Sequence, residues 1–364
     1  MLKYVLRQYL SCIRYKKPFS STPYSLGMKM YKETNVAKKS KLRVFLDLYK
    51  LSKYWKAFPD SYFRFGMFKK DYTDFDKMKS FVPQNAYYPY SKVKDTRYNL
   101  LIDDKIIFHD IMSYYGLPVP KRYFTFRNNA FRDSFKILDN KEVDAIINSI
   151  KDERIFVKRS SGGGASGISI FTRTDGGIYI DEDGIEVSAE MIKKKFNSES
   201  IIFEKQIRQE KTLAQFNPDT VNTIRILTYK HQIISATVRF GGKGGFIDNL
   251  SRGGVAVSCD INTGELGEYG MRMYDIRKYY DHPDSKIKFK GVRITQWNDI
   301  VNLVYKTMEL LPYYTSVGFD IATTESGPVI IEINTGAGIG LSQIGREYGL
   351  ANIFRKNANP PHRI

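Results

Sequence analysis

The sequence predicts an α+β fold in two or three subdomains, preceded by a basic, mainly helical region. Three observations carry this reading. The 364 residues are 42% apolar without glycine, enough for sizeable cores in more than one unit. The second half is dense in short β-branched and aromatic runs, "VNTIRILTYK", "QIISATVRFG" and "GVAVSCDIN", which read as antiparallel strands of a meander. Helical patterns interleave with strands through the middle of the chain, while residues 1 to about 90 read as irregular helix.

Taken in order, "VFLDLYKLSKYWKAF" is an amphipathic helix by its apolar spacing, and "FVPQNAYYPY" reads as a loop. A helix runs from about Asp103 to Tyr115, with acidic residues at its start and Gly116 stopping it. Pro118 and Pro120 then set an extended entry into a strand at "RYFTF". After a helix at "NKEVDAIINSI", the strands "RIFVKRS" and "GISIFTR" flank a serine- and glycine-rich patch. A hairpin at "GGIYIDEDG", a helix at "SAEMIKKKF" and a strand at "SIIFEKQI" follow. The glycine-rich segment "GGKGGFIDNLSRGG" joins two of the meander strands, and "WNDIVNLVYKTMELL" is a helix. Last come "VGFDIATT" and "PVIIEINT", strands joined by the tight turn "ESG", a glycine-rich loop, a helix starting near Leu341, and a frayed tail. The boundaries expected are 1–100 for the basic aromatic region, 101–205 and 206–350 for two subdomains, and 351–364 for the tail.

Composition excludes several classes. No run approaches the roughly 18 to 20 uninterrupted apolar residues of a membrane span, and Lys3 and Arg7 break the first stretch before a signal-peptide core develops. Cys12 and Cys259 form no disulfide framework and lack metal-ligand spacing, so the chain reads as cytoplasmic. Of the net charge of +18, most lies in residues 1 to 100, which hold 22 Lys and Arg against 7 Asp and Glu. Basic and aromatic residues alternate there, as in "KYWKAFPDSYFRFGMFKKDY". Such a surface suits anionic lipid headgroups, a polyanionic glycan or nucleic acid; equally, the aromatics pack inward and the lysines are solvated. No nucleic-acid-binding motif accompanies the charge, so nucleic acid is not expected as a partner.

Two stretches carry chemistry. In "IFVKRSSGGGASGISIF", Lys158 precedes Ser161, Gly162, Gly163, Gly164 and Gly167. Bare amides plus one cation make a loop that closes on an anion, or a flexible hairpin tip with a solvated lysine. The spacing is not that of a P-loop, whose lysine follows its glycines at a helix start. In the last hairpin, Asp320 and Glu332 stand on paired strands, and Asn334, two residues on, shares the face of Glu332. Two carboxylates and an amide oxygen suit Mg²⁺ if they converge; the alternative is a turn-capping Asp320 and a solvated Glu332. The apolar runs around both make an unpaired carboxylate costly.

In this order Lys158 with its loop, "FEKQI" and "GFDIA…PVIIEIN" resemble the ATP-grasp superfamily, over about Lys105 to Gln343. "FNPDTVNTIRILTY", "DNLSRGGVAVSCDINTGEL" and "GPVIIEINTGAGIGLSQ" are similar to its sugar-transfer-associated members, a subgroup of capsular and exopolysaccharide biosynthesis. The resemblance implies two α+β subdomains clasping ATP between antiparallel sheets. It implies that Lys158 neutralises the α- and β-phosphates while Ser161 and Gly163 to Gly167 form a lid over the β- and γ-phosphates. Lys105 matches a first phosphate lysine, or is solvated in a helix's first turn. Glu204, Lys205 and Ile207 match the hinge that reads adenine, with Glu204 accepting from the amino group and Glu210 reaching the ribose. Asp320, Glu332 and Asn334 would hold two Mg²⁺, or Mn²⁺.

Arg225 lies on an apolar strand and needs an anion; the resemblance makes this the transferred phosphate. Arg252, in "NLSRGG", and Arg239 would meet the substrate, with a structural salt bridge as the alternative for all three. Where D-Ala–D-Ala ligases carry an arginine two residues before the first metal carboxylate, this chain has Gly318. The implied activity is ADP-forming carboxylate–amine ligation through an acyl phosphate, joining an amino acid or peptide to a sugar acid or amino sugar. Partners would be small-molecule amine and carboxylate substrates, a glycan or lipid-linked glycan precursor, and an anionic membrane surface met by residues 1–100. A nucleotide-binding regulator without turnover and a nucleic-acid binder are the readings from other classes. His109, His231 and His282 fall outside the motifs and receive no role.

Overall fold

The computed structural model describes residues 1–14, 18–91, 96–162, 167–244, 253–273 and 275–355. Thirteen strands among them form two antiparallel sheets. The first sheet is built from β1 (Arg122–Arg127), β2 (Ala130–Asp133), β3 (Lys136–Leu138), β4 (Arg154–Arg159), β5 (Ile168–Arg173), β6 (Tyr179–Ile180) and β7 (Ile201–Lys205), in the order β3-β2-β1-β7-β4-β5-β6. The second holds β8 (Thr223–Tyr229), β9 (Gln232–Phe240), β10 (Val255–Cys259), β11 (Leu266–Met271), β12 (Val317–Thr324) and β13 (Gly327–Thr335), ordered β11-β10-β9-β8-β12-β13.

Alternation assigns each sheet a core face and an open face. Phe124, Phe126, Ile155, Val157, Phe171 and Phe203 of the first sheet pack on the helices Asn140–Ser149 and Ala189–Lys195, where Val143, Ile147 and Ile192 are buried. The first of these helices starts in a full capping box, Asp139 with Glu142. In the second sheet Ile224, Ile226, Val238, Val257, Phe319 and Ile321 pack on the helix Trp297–Leu310 through Ile300, Val304 and Met308. The opposite faces are therefore left to Lys158 and Glu204 in one sheet, and to Arg225, Arg239, Asp320 and Glu332 in the other.

The first region is helical, as expected. Helices Leu2–Arg14, Pro23–Glu33 and Lys41–Trp55 build a separate core around Val44, Leu48, Leu51, Tyr62, Phe63 and Phe68. Within it Lys39 is buried against Asp47 at 2.7 Å, and Tyr62 donates to the same carboxylate. Three local expectations change. The helix drawn from Asp103 to Tyr115 is two, Leu100–Asp103 and Lys105–Tyr114, because Asp104 leaves helical geometry to cap the amides of Ile106 and Ile107. "FVPQNAYYPY", read as a loop, contains the helix Gln84–Ser91, whose buried Tyr87 bonds Ser316 at 2.6 Å. After Leu341 there is a single 3-10 turn, Leu341–Gln343, and then the helix Ala351–Arg355; Gly345 at φ +72° stands between them.

Candidate functional site

The hairpin β12–β13 brings the three proposed metal ligands together. Asp320 is the register partner of Glu332, and Asn334 stands opposite Gly318, so all three project from one face. The Asn334 amide lies 3.4 Å from Asp320 Oδ2. On the adjoining strand Arg225 is paired with Asp320, and its guanidinium grips the carboxylate through Nε and through Nη2 at 2.8 Å. Arg239, one strand further, reaches the same carboxylate at 3.2 Å while Nε and Nη2 donate to Thr223 Oγ1. The anion that buried Arg225 requires is thus Asp320 itself. Burial opposes the charged form of Asp320, but the two arginines outweigh it and hold its carboxyl below the usual range.

Glu332 is treated differently. Burial pushes its carboxyl up, Asp320 adds to that, and its nearest cation, Lys105, is 3.6 Å away. A carboxylate short of positive charge beside an amide is what a hard divalent cation would satisfy, so Glu332 and Asn334 fit the metal, with Asp320 as the shared third donor. Among the described residues no three His, Cys, Asp or Glu side chains gather as a metal cluster. Water or phosphate oxygens would therefore complete the shell of such a cation.

Gly318 has a steric reason. A Cβ there would lie 2.4 Å from the Ala337 Cβ and 3.3 Å from Arg225 Cδ. The space an arginine would need at position 318 is filled by Ala337 and by Arg225 crossing from β8.

The first sheet contributes the second half. Lys158 on β4 and Glu204 on β7 sit on the open face and pair at 2.6 Å, both largely buried. Lys105, at the start of its helix, donates to the carbonyl of Gly162 at 3.0 Å and also approaches Glu332. It is therefore no solvated first-turn lysine; it ties the start of the glycine loop of one sheet to the hairpin β12–β13 of the other. Its own amide donates to Ser160 O at 2.7 Å. Gly162 and Gly167, the described ends of the loop, take φ of +110° and +87°, which glycine adopts without strain. A Cβ on Gly167 would strike Arg159 at 2.7 Å.

Lys205 turns to the other side and meets Asp152 at 3.5 Å, while its amide donates to Lys121 O. Beyond it residues 206–208, including half-buried Ile207, run without strand or helix. Glu210 caps the short helix Lys211–Ala214 with Oε1, and its buried Oε2 has no hydrogen-bond partner. Ser161 is exposed at the loop's start. Gly163, Gly164 and Arg252 lie outside the described residues. His109 bonds Pro120 O and His282 bonds Gly241 O, and burial lowers the pKa of both, so these two serve packing.

Sequence reasoning missed Thr223, which orients Arg239, and the side chains that fix the loop after Asn334. Gln84 accepts from Ile339 N at 3.0 Å, and Gln343 bonds both backbone groups of Val82, at 2.8 and 3.0 Å. No local signal marks such pairs, whose members lie more than 250 positions apart.

Two antiparallel sheets thus meet across a seam of lysines, arginines and carboxylates, with a glycine loop at its edge. Residues 84–358 match the family described as sugar-transfer associated ATP-grasp, and the chain belongs to that family. No curated protein matches. Among solved structures the chain is similar to D-alanine–D-alanine ligase from Bacillus anthracis, at 14% identity over 65% of this chain and 57% of that one, TM-score 0.34. It is also similar to a RimK domain ATP-grasp protein from Sphaerobacter thermophilus DSM 20745, at 12% identity over 70% and 67%, TM-score 0.39. A third is the D-cycloserine synthetase DcsG, at 10% identity over 70% and 69%, TM-score 0.38. The chain thus spans under two thirds of the Bacillus anthracis ligase.

Proposed function

We propose that this protein is an ADP-forming ligase that joins a carboxylate to an amine, with ATP and a divalent cation held in the seam between the two sheets. The observation that carries the proposal is the convergence of Lys105, Lys158, Arg225 and Arg239 on three carboxylates, Glu204, Asp320 and Glu332. A polyphosphate would enter where the two lysines, Lys105 and Lys158, line this seam. Lys158 and Lys105 would bind phosphate oxygens, Ser161 and the amides of Gly163, Gly164 and Gly167 would close over them, and the segment around Lys205 and Ile207 would face adenine. The unpartnered Oε2 of Glu210 is an acceptor that a ribose hydroxyl would satisfy.

The substrate carboxylate would attack the γ-phosphorus, breaking its bond to the β-bridging oxygen and releasing ADP. An amine would then attack the acyl carbon, phosphate would leave, and the amine would lose a proton. Arg225 and Arg239, preorganised on Asp320, would meet the negative charge that develops on the acceptor side, and Arg252 is assigned to the same task. The bound metal, Mg²⁺ in this reading, would neutralise phosphate charge from Glu332, Asn334 and Asp320. Water competes for an acyl phosphate, so closure of the glycine loop excludes it. The substrates best matched to the family are an amino acid or peptide and a sugar acid or amino sugar of a surface polysaccharide.

Calorimetric titration of Mg·ATP tests this without knowledge of the acceptor pair. Binding in the micromolar range, weakened by Lys158→Ala and by Glu332→Ala, supports the ligase reading and justifies screening acceptor pairs for ADP release. A folded wild-type chain that binds no nucleotide would overturn it.

A further inference from the structure

Two helices of the first region carry an apolar stripe that faces solvent. In the helix Leu2–Arg14, Leu2, Leu6 and Leu10 recur every fourth residue and are 73%, 56% and 53% exposed. Met1, Tyr4 and Val5 hold the helix down, packing against the core of the region. In the helix Lys41–Trp55 the buried side is Val44, Asp47, Leu48, Leu51 and Ser52. On its opposite side Leu42 is 69% exposed, and Phe45, Leu46 and Tyr49 are between 41% and 49% exposed, at spacings of three and four. Both helices are therefore apolar on two sides, which packing against one core does not require.

Charge decides among occupants. Lys3 and Arg7 lie one position along from Leu2 and Leu6, and Lys41, Arg43, Lys50 and Lys53, all exposed, flank or join the second stripe. The first helix has no acidic residue. The second has only Asp47, which is buried and paired with Lys39 and Arg43. Residues 1 to 100 carry 15 of the 18 net positive charges. On the two helices themselves the charged residues beside the exposed stripes are all cations, which matches the boundary between acyl chains and anionic headgroups. A second copy of the same surface would set cations against cations.

We propose that the stripes Leu2–Leu6–Leu10 and Leu42–Phe45–Leu46–Tyr49 seat this protein on an anionic lipid surface, lying in the interface and not crossing it. Among the described residues no helix is long and apolar enough to span a membrane. The proposal stands on the exposed helices and is independent of the ligase reading.

The test is co-sedimentation of the full chain with vesicles of phosphatidylcholine, with and without phosphatidylglycerol. The wild type is expected to sediment with the anionic vesicles only, and less so at high salt. Leu6→Glu with Leu10→Glu, and separately Phe45→Glu with Leu46→Glu, are expected to cut binding by roughly tenfold or more per pair. Lys50→Glu with Lys53→Glu is expected to weaken it as well. All of these side chains are exposed, so each variant should keep the wild-type thermal midpoint, measured alongside. Absence of binding to anionic vesicles would overturn the proposal. So would binding unaltered by the leucine and phenylalanine substitutions, or a light-scattering dimer that those substitutions dissolve.

Discussion

Asp320 and Glu332 are register partners on adjacent strands, yet their surroundings drive them in opposite directions. Asp320 is held charged by Arg225 and Arg239; Glu332 is pushed toward its neutral form by burial, with Lys105 offsetting it only in part. One position is already balanced within the chain, and the other calls for a cation. The contrast teaches that a pair of carboxylates in an apolar hairpin need not be two equal metal ligands. Here the arginines of β8 and β9 make Asp320 a structural anchor that presents guanidinium groups to the seam, and Glu332 is the side chain left short of charge.

The most damaging way to break the comparison is Arg225→Ala, which leaves buried Asp320 with Arg239 alone. Loss of one partner from a buried pair costs about 3–5 kcal/mol, so the denaturation midpoint should fall sharply while Glu332→Gln leaves it nearly unchanged. Gly318→Ala sets a methyl against Ala337 and Arg225. It should cost about 1–3 kcal/mol by the same measurement, as overpacking does. On the opposite sheet, Lys158→Ala should raise the dissociation constant of Mg·ATP by about tenfold or more, some 1.4 kcal/mol, with calorimetry as the readout.

The smallest effect sharpens the contrast through pH. Glu332 has a raised pKa in the fold, so the native state binds its proton more tightly than the unfolded chain does. Its contribution to stability therefore declines as pH rises from the ordinary glutamate value through the raised one. Asp320 behaves inversely, its contribution present above the ordinary aspartate value and lost as pH falls through the depressed one. A cation at Glu332 would displace that proton. Mg·ATP binding near the raised pKa should then release protons, seen as a binding enthalpy that changes with buffer, and Glu332→Gln should diminish the release.

Much of this site was legible in the sequence because its residues interrupt patterns. Lys158 before a glycine run, Arg225 inside "NTIRIL", and a carboxylate in each of two otherwise apolar strands all interrupt apolar runs. Lys105 was ambiguous, since the first turn of a helix is solvated by default; only its approach to Gly162 and Glu332 gives it a place in the seam. Glu204 reads as an adenine acceptor by resemblance; in the fold one of its carboxylate oxygens accepts from Lys158, a contact the spacing does not show. Which partner a buried cation takes is set by distances between strands, and those have no image in local spacing.

By itself the sequence determined the α+β class, the meander, the final hairpin with its face of Asp320, Glu332 and Asn334, and the concentration of positive charge in the first hundred residues. Those follow from periodicity, turn chemistry and composition, which act over a few positions. The tertiary structure decided that Arg225 and Arg239 both close on Asp320, that Lys105 bridges the two sheets, and that Gln84 and Gln343 fasten the first region to the loop beyond Asn334. It also decided which apolar side chains of the first helices stay outside. Each of these is a contact across tens to hundreds of positions, formed only when burial of the cores fixes where the strands and helices lie.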